Sequence, residues 1–252
     1  MVEIYLSDLH APYHDKAAWS LARKVISEIK PEMIFLGGDM IDCLSVSSYS
    51  KNPIHEGELQ MELESTRKCL RQLRDLRPNA KMMFLEGNHE DRLRRYINQH
   101  AKAFASVSAI SIDQLLTLEE FNIEYIPYKQ PTQIGELWHI HGDEVAGGSM
   151  NVARNIYLRL QASVIFGHYH CFGSYFGTPF GKPTQGAFAN GFLGGMDPSF
   201  VMNPQWQQGV TLIDYSPSGF FHVEPIVFFR QAGRLVTTVR GKEYSRRLDQ
   251  EV

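Results

Sequence analysis

Cysteine is scarce. The chain of 252 residues has three, Cys43, Cys69 and Cys171, with no Cys-x-x-Cys pair among them. So odd and scattered a set excludes a disulfide framework and a thiolate zinc site, and predicts reduced thiols in a cytoplasmic setting. An excess of basic residues is missing too. Lys and Arg number 25 against 28 Asp and Glu, a formal net charge of −3, which argues against wholesale nucleic-acid coating but leaves room for a local basic groove. No stretch approaches the roughly 18 apolar residues that span a bilayer. The opening MVEIYLSDLH lacks a basic segment, an apolar run and a small-residue cleavage site, so neither membrane contact nor a signal peptide is expected. Linkers, internal repeats and low-complexity tracts are also absent. One domain over residues 1–242 is expected, followed by a polar tail, 243–252, that frays.

Against these absences, short apolar runs recur with helical spacing between them. EIYL at 3–6, MIFL at 33–36, KMMFL at 81–85 and SVIF at 163–166 read as strands, and 15–29, 56–76 and 151–160 as helices. Strand–helix–strand alternation predicts an α/β architecture with a largely parallel sheet, whose sites lie at the carboxyl ends of its strands. From Cys171 onward, Gly and Pro turns separate aromatic, β-rich runs such as GVTLIDY and RLVTTVRG. These predict antiparallel strands, hence a second sheet.

The ends of the apolar runs carry the chemistry. IYLSDLH closes on Asp8 and His10, IFLGGDMID on Asp39 and Asp42, and MFLEGNHE on Asn88, His89 and Glu90. ELWHIHGD closes on His139, His141 and Asp143, and VIFGHYH on His168 and His170. Three of these hold a pair at i and i+2, which in extended chain project to one side. A lone buried histidine is more often a core residue than a ligand, and a Gly-Asp or Gly-Asn pair alone is a turn. Five runs that all finish in imidazole, carboxylate or amide point instead to a shared site. Nitrogen and oxygen donors without thiolate suit manganese, iron, cobalt or zinc. They exceed the four ligands of a tetrahedral zinc and fit two ions that share a bridging carboxylate.

Read in order, the motifs are Asp8-Leu9-His10, Gly38-Asp39-Met40-Ile41-Asp42, Gly87-Asn88-His89-Glu90, His141-Gly142 and Gly167-His168-Tyr169-His170. The series resembles that of the calcineurin-like metallophosphoesterases, from residue 6 to about 170. The resemblance implies a four-layer α/β/β/α sandwich, two mixed β-sheets flanked by helices, with the metal site at the carboxyl ends of strands. It implies that Asp8, His10 and His170 hold one divalent ion, that Asn88, His141 and His168 hold the other, and that Asp39 bridges them. Manganese is the first expectation, with iron, zinc, cobalt or nickel as alternatives. His139 rivals His141 for the fourth motif, and the Gly142 that follows favours His141.

On this reading Asp8 and Asp39 are the only charged ligands, so two divalent ions leave the site near +2 and attractive to phosphate. Two ions roughly 3.5–4 Å apart bind phosphoryl oxygens and make a bridging hydroxide available for in-line attack. His89 is the expected general acid, a role worth roughly 10²–10⁴-fold, and Asp42 the carboxylate that orients it. Glu90 reads either as an acid at the start of a helix over 91–99 or as a direct participant. Arg92 and Arg95 share a face of that helix, which is either solvated or leans over the ions to hold a substrate phosphate.

The substrate expected is a phosphate mono- or diester of a nucleotide or nucleic acid. Cys43 stands where the family's protein phosphatases and diadenosine tetraphosphate hydrolases carry arginine, which speaks against those classes. Glu90 in place of aspartate speaks mildly against its cyclic-nucleotide diesterases and double-strand-break nucleases. Loops at 43–57, 143–151 and 191–209, with Tyr49, Phe192, Phe200 and Trp206, are expected to shape the pocket. Two alternatives remain: a catalytically silent scaffold on the same fold, and a nuclease acting on long strands.

Overall fold

The computed structural model describes residues 1–48, 58–143, 151–196 and 204–248. The first half runs β1 (Val2–Leu6), α1 (Lys16–Ile29), β2 (Met33–Leu36), α2 (Leu59–Leu76), β3 (Lys81–Leu85), α3 (Glu90–His100), a short α4 (Ile112–Leu115) and β4 (Ile123–Ile126). Asp15 caps α1, its Oδ1 accepting from the backbone N–H groups of Ala17 and Ala18 at 2.9 Å each. β1 to β4 lie side by side and parallel. The chain then crosses to a second sheet: β5 (Thr132–Ile134), β6 (Leu137–His139), α5 (Val152–Leu160), β7 (Val164–Phe166), β8 (Gly173–Gly177) and β9 (Gln185–Ala189), in the order β5-β6-β7-β9-β8. It returns as β10 (Gly209–Tyr215) and β11 (Phe221–Val227), which extend the first sheet antiparallel beyond β1. β12 (Phe229–Gln231), β13 (Arg234–Val239) and β14 (Lys242–Arg247) form a separate meander.

Alternation along β1 sets the layers. Ile4 and Leu6 pack with Leu21, Val25 and Ile26 of α1 and Leu70 and Leu73 of α2. Tyr5 points the other way, into a middle layer with Phe35, Met83 and Leu85 from its own sheet and Leu137, Ile165 and Phe188 from the second. The second sheet's outer face, with Val164, Phe166, Ala187 and Ala189, is covered by Val152, Ile156 and Tyr157 of α5. This is the expected helix–sheet–sheet–helix sandwich. Burying each large apolar side chain contributes about 1.5–3 kcal/mol.

Two expectations need correction. The second sheet is not the product of the last third: it spans 132–189, mixes parallel and antiparallel pairs, and the later β10 and β11 join the first sheet instead. Nor does the polar tail fray from 243. Lys242–Arg247 pairs with β13, and Tyr244 is buried among the α1 core residues. Residues 249–252 lie outside the described residues, as do 56 and 57 at the start of the expected second helix.

The middle layer holds a buried polar pair. Glu3 and His139, both fully buried, meet at 2.9 Å, and the Tyr215 hydroxyl donates to the other Glu3 oxygen at 3.0 Å. His139 also packs on the rings of Tyr5 and Phe35. It is a cross-sheet pin rather than a donor to the shared site.

Candidate metal centre

The site sits on the seam between the sheets. The chain beyond β1, β2 and β3 supplies Asp8, His10, Asp39, Asn88 and His89; the chain beyond β6 and β7 supplies His141, His168 and His170. Three overlapping groups of donors gather there, Asp8–His10–His170, Asp39–His141–His168 and His10–Asp42–His89, each with its atoms within 4.8 Å of one another.

The local backbone differs from the extended pairs expected. Asp8, His10, Asp39, His168 and His170 all lie past their strands in left-handed conformation, with φ of 55°, 52°, 54°, 67° and 57°. Such backbone is unfavourable for residues other than glycine. The Asp8/His10 and His168/His170 pairs therefore converge through tight turns, not through the pleat of a strand. The turns are pinned by neighbouring chain: Asp8 N–H donates to Gly38 O at 3.0 Å and His10 N–H to Asp39 O at 2.9 Å. The motif glycines follow from crowding. A Cβ on Gly87 would sit 2.3 Å from Asp39 Oδ1, and one on Gly167 would sit 2.5 Å from Asp8 Oδ2. A donor from another strand already fills the space a side chain would take.

On one side of the site, His10 Nε2 and His170 Nε2 face each other at 3.1 Å, and His170 Nε2 lies 3.4 Å from Asp8 Oδ1. On the other, His141 Nε2 lies 2.9 Å from Asn88 Oδ1 and 3.2 Å from Asp39 Oδ2, while its Nδ1 is held by Gly37 O at 2.9 Å. Two imidazole nitrogens converging beside a carboxylate, and a third beside an amide oxygen and a second carboxylate, are donor sets that suit borderline divalent cations. Burial raises the Asp39 carboxyl, but the imidazoles of His141 and His89 outweigh it and hold it well below the usual carboxylate range. Asp8 is lowered likewise, burial being outweighed by His170. His168 is pushed down to about 4 by burial and by the nearby His141, so its lone pair is free at neutral pH.

His89 stands beside these donors. Its Nδ1 meets Asp42 O at 2.9 Å and lies 3.6 Å from Asp42 Oδ1, and its Nε2 lies 3.8 Å from Asp39 Oδ2. Asp42 also approaches His10 Nδ1, at 3.3 Å. His10 and His89 together hold the Asp42 carboxyl below its ordinary range against the effect of burial. Asp42 thus serves two imidazoles rather than His89 alone. Arg92, nearly buried, reaches both partners: Nη1 donates to Asp42 Oδ1 at 3.2 Å and Nη2 meets His89 Nε2 at 2.8 Å. Arg95 turns elsewhere, to Asp91 Oδ2 at 3.1 Å, with a longer bond to Asn88 O at 3.3 Å. The shared basic face expected of the two arginines is not formed.

Glu90 has a role the sequence left open. It is the first residue of α3 and fully buried, and its carboxylate accepts the backbone N–H groups of Gly87 at 2.8 Å, Asp39 at 2.9 Å, Met40 at 2.7 Å and Ile41 at 3.3 Å. It ties the Asp39 turn to the Asn88 turn. Burial and the charge of Asp39 push its carboxyl up to about 7. Sequence reasoning missed Asn190, fully buried, which donates to Ser7 Oγ at 3.0 Å and accepts from Thr211 at 2.7 Å, bracing the chain just before Asp8. Its only signal was a position after a β-run, in FANG. Of the aromatic candidates, Phe192 is buried and stacked on His170, so it supports that ring and offers no platform to a substrate. Trp206 stands edge-on to His170 at a ring separation of 4.7 Å. Tyr49 and Phe200 lie outside the described residues, as do 49–57, 144–150 and 197–203 of the three expected loops.

Comparison with known proteins adds the family. The family model for calcineurin-like phosphoesterase matches residues 4–172. The gene 54 protein of Mycobacterium phage L5 is 29% identical over 173 residues, covering 66% of this chain and 68% of the phage protein. Among solved structures, zinc-complexed Vps29 of Entamoeba histolytica aligns over 98% of both chains at 14% identity and a TM-score of 0.46. The phosphoesterase YfcE of E. coli aligns over 85% of this chain and 88% of its own, at 12% identity and a TM-score of 0.43.

Proposed function

The chain belongs to the calcineurin-like phosphoesterase family, and from that premise we propose that it hydrolyses phosphate mono- or diesters at a dinuclear metal centre, with nucleotides or nucleic acid as substrates. The observation that carries this reading is the convergence of donors from both sheets on one seam. Asp8, His10 and His170 would hold one cation, Asn88, His141 and His168 a second, and Asp39 both. Manganese is the first candidate, followed by iron, zinc, cobalt or nickel. Two divalent cations held there would supply Lewis acidity toward the phosphoryl oxygens and activate the attacking water.

The chain's own residues do the rest. His89 would give the leaving oxygen its proton from Nε2 once Arg92 turns from that nitrogen to the phosphate, and Asp42 orients its ring through Nδ1. Arg92 brings a fixed cation to the same edge, fit to pair with a phosphoryl oxygen; Arg95, tied to Asp91, is the weaker candidate. Glu90 and Asn190 hold the turns so that donors are in place before substrate arrives. The full donor set favours catalysis over a silent scaffold. Among the described residues no helix is long and apolar enough to cross a membrane; the cytoplasm, where its thiols would stay reduced, is the compartment proposed. Hydrolysis of nitrophenyl phosphate and its bis ester with added manganese tests the proposal. Turnover well above a metal-only control is expected; none across several metals and pH values would end it.

A further inference from the structure

The buried face of α2 carries one charged residue. Glu62 shares that face with Leu63, Thr66, Cys69, Leu70 and Leu73 and is itself fully buried. No Lys, Arg or His of the described residues pairs with it. Its two oxygens accept backbone N–H groups from another part of the chain instead: Leu44 donates to Oε2 at 3.0 Å and Ser45 to Oε1 at 2.9 Å. These two residues open a short 3₁₀ turn, Leu44–Val46, to which the preceding Cys43, left-handed at φ 52°, gives no side-chain bond. Glu62 therefore caps the turn from a different helix. Burying a carboxylate is unfavourable, and a hydrocarbon of similar volume usually serves stability as well or better. The value of Glu62 lies in what the turn holds.

The turn holds Asp42. Its carbonyl oxygen, two residues before Leu44, meets His89 Nδ1 at 2.9 Å and accepts from Arg92 Nη1 at 3.0 Å. A carbonyl oxygen only accepts, so Nδ1 carries a proton, and where that oxygen stands sets the direction of the ring. From Asp39 to Ser45 the chain lies on two buried carboxylates. Glu90 of α3 takes the N–H groups of Asp39, Met40 and Ile41, Glu62 of α2 takes those of Leu44 and Ser45, and Asp42 N–H goes to Ala11 O at 3.1 Å. Glu90 serves the Asp39 side of this stretch and Glu62 the His89 side.

We infer that Glu62 is a positioning residue for proton delivery to the leaving oxygen: by capping the turn at Leu44 and Ser45 it fixes the Asp42 carbonyl oxygen, and through it the ring of His89. What His89 delivers rests on the proposed hydrolase reading; that Glu62 sets its ring does not.

Two measurements keep these apart. In protein with added zinc, which is diamagnetic, the His89 Nδ1–H proton is followed by NMR and assigned by its absence in His89→Asn. Glu62→Gln keeps one accepting oxygen and sets an amide NH2 against the second N–H, and it is expected to speed exchange of that proton with water roughly tenfold. Glu64→Gln, the same charge change on the exposed side of α2, is expected to leave it as in wild type. With manganese, phenyl phosphate, whose leaving oxygen needs a proton, is compared with 2,4-dinitrophenyl phosphate, whose leaving oxygen does not. A misplaced ring costs roughly 10²-fold, so Glu62→Gln is expected to lower kcat for phenyl phosphate by about that factor and for the dinitrophenyl ester by less than about twofold. Equal losses on both substrates, or a His89 proton unchanged from wild type, would overturn the inference. Glu62→Met, similar in volume and without an acceptor, carries both measurements should the amide variant not fold. If wild type turns over neither substrate, the hydrolase reading fails and the NMR result alone decides whether Glu62 sets the ring.

Discussion

Five of the proposed ligands hold their side chains in place on left-handed backbone, each such residue costing of order 1–3 kcal/mol. That strain is sustained by the surrounding bonds: at Asp39 by the backbone N–H groups gathered on Glu90, at Asp8 and His10 by the carbonyls of Gly38 and Asp39, and at His168 by the Asp8 carboxylate. His89 differs. It has ordinary right-handed backbone at the start of α3, with φ of −76°, and it touches the donors without joining them. His89→Asn removes the proton donor and leaves the ligands intact. The expected result is a kcat lower by roughly 10²–10⁴-fold with unchanged manganese content by elemental analysis. Loss of manganese along with activity would instead make His89 a support of the centre.

At the scale of elements, much was legible in the sequence, for a physical reason. A strand buried on both faces must be a continuous apolar run, so 3–6, 33–36, 81–85 and 163–166 stood out, and polar residues at their ends had to belong to a site. Pairing was not legible. Nothing local in GVTLIDY says that it lies beside β1, because that choice is made by the vacant edge of a strand some 200 residues earlier. Side-chain direction was equally hidden: Arg92 and Arg95 share spacing, yet one turns to Asp42 and the other to Asp91. In KEYSRR the charges masked a strand whose one buried residue, Tyr244, anchors it on α1.

The Glu3–His139 pin belongs to this scale, since it is a buried polar link between β1 and β6. Removing one partner leaves the other buried with its group unmet, which costs about 3–5 kcal/mol for such pairs. Glu3→Leu and His139→Leu are each expected to destabilise by that order in urea unfolding. The double variant should lose less than the sum, with a coupling of roughly 1–3 kcal/mol; simple additivity would show that the two residues do not act as a pair.

For the whole molecule, the seam means that the proposed donors to each ion come from two sheets that share no strand pairing. Cations bound there would link the sheets, and binding to the folded state alone raises stability by about 2.7 kcal/mol at 100 times Kd. For a chain of this size that is a rise in Tm of roughly 5–10 °C. Thermal scans with manganese and then with excess chelator are expected to differ by this amount. Identical melting would mean that no ion bridges the sheets.

The pairing of Val2 with Asp214 and of Tyr5 with Thr211 has a further consequence during synthesis. The ribosome makes β1 first and its antiparallel neighbour only after more than two hundred further residues. Until then β1 has one bare edge, and the turn bearing Asp8 lacks Asn190 and Thr211 behind it. Domains of this kind fold as units, so nascent chains released before Tyr215 are expected to be recruits for chaperones and proteases, and not partly assembled metal centres.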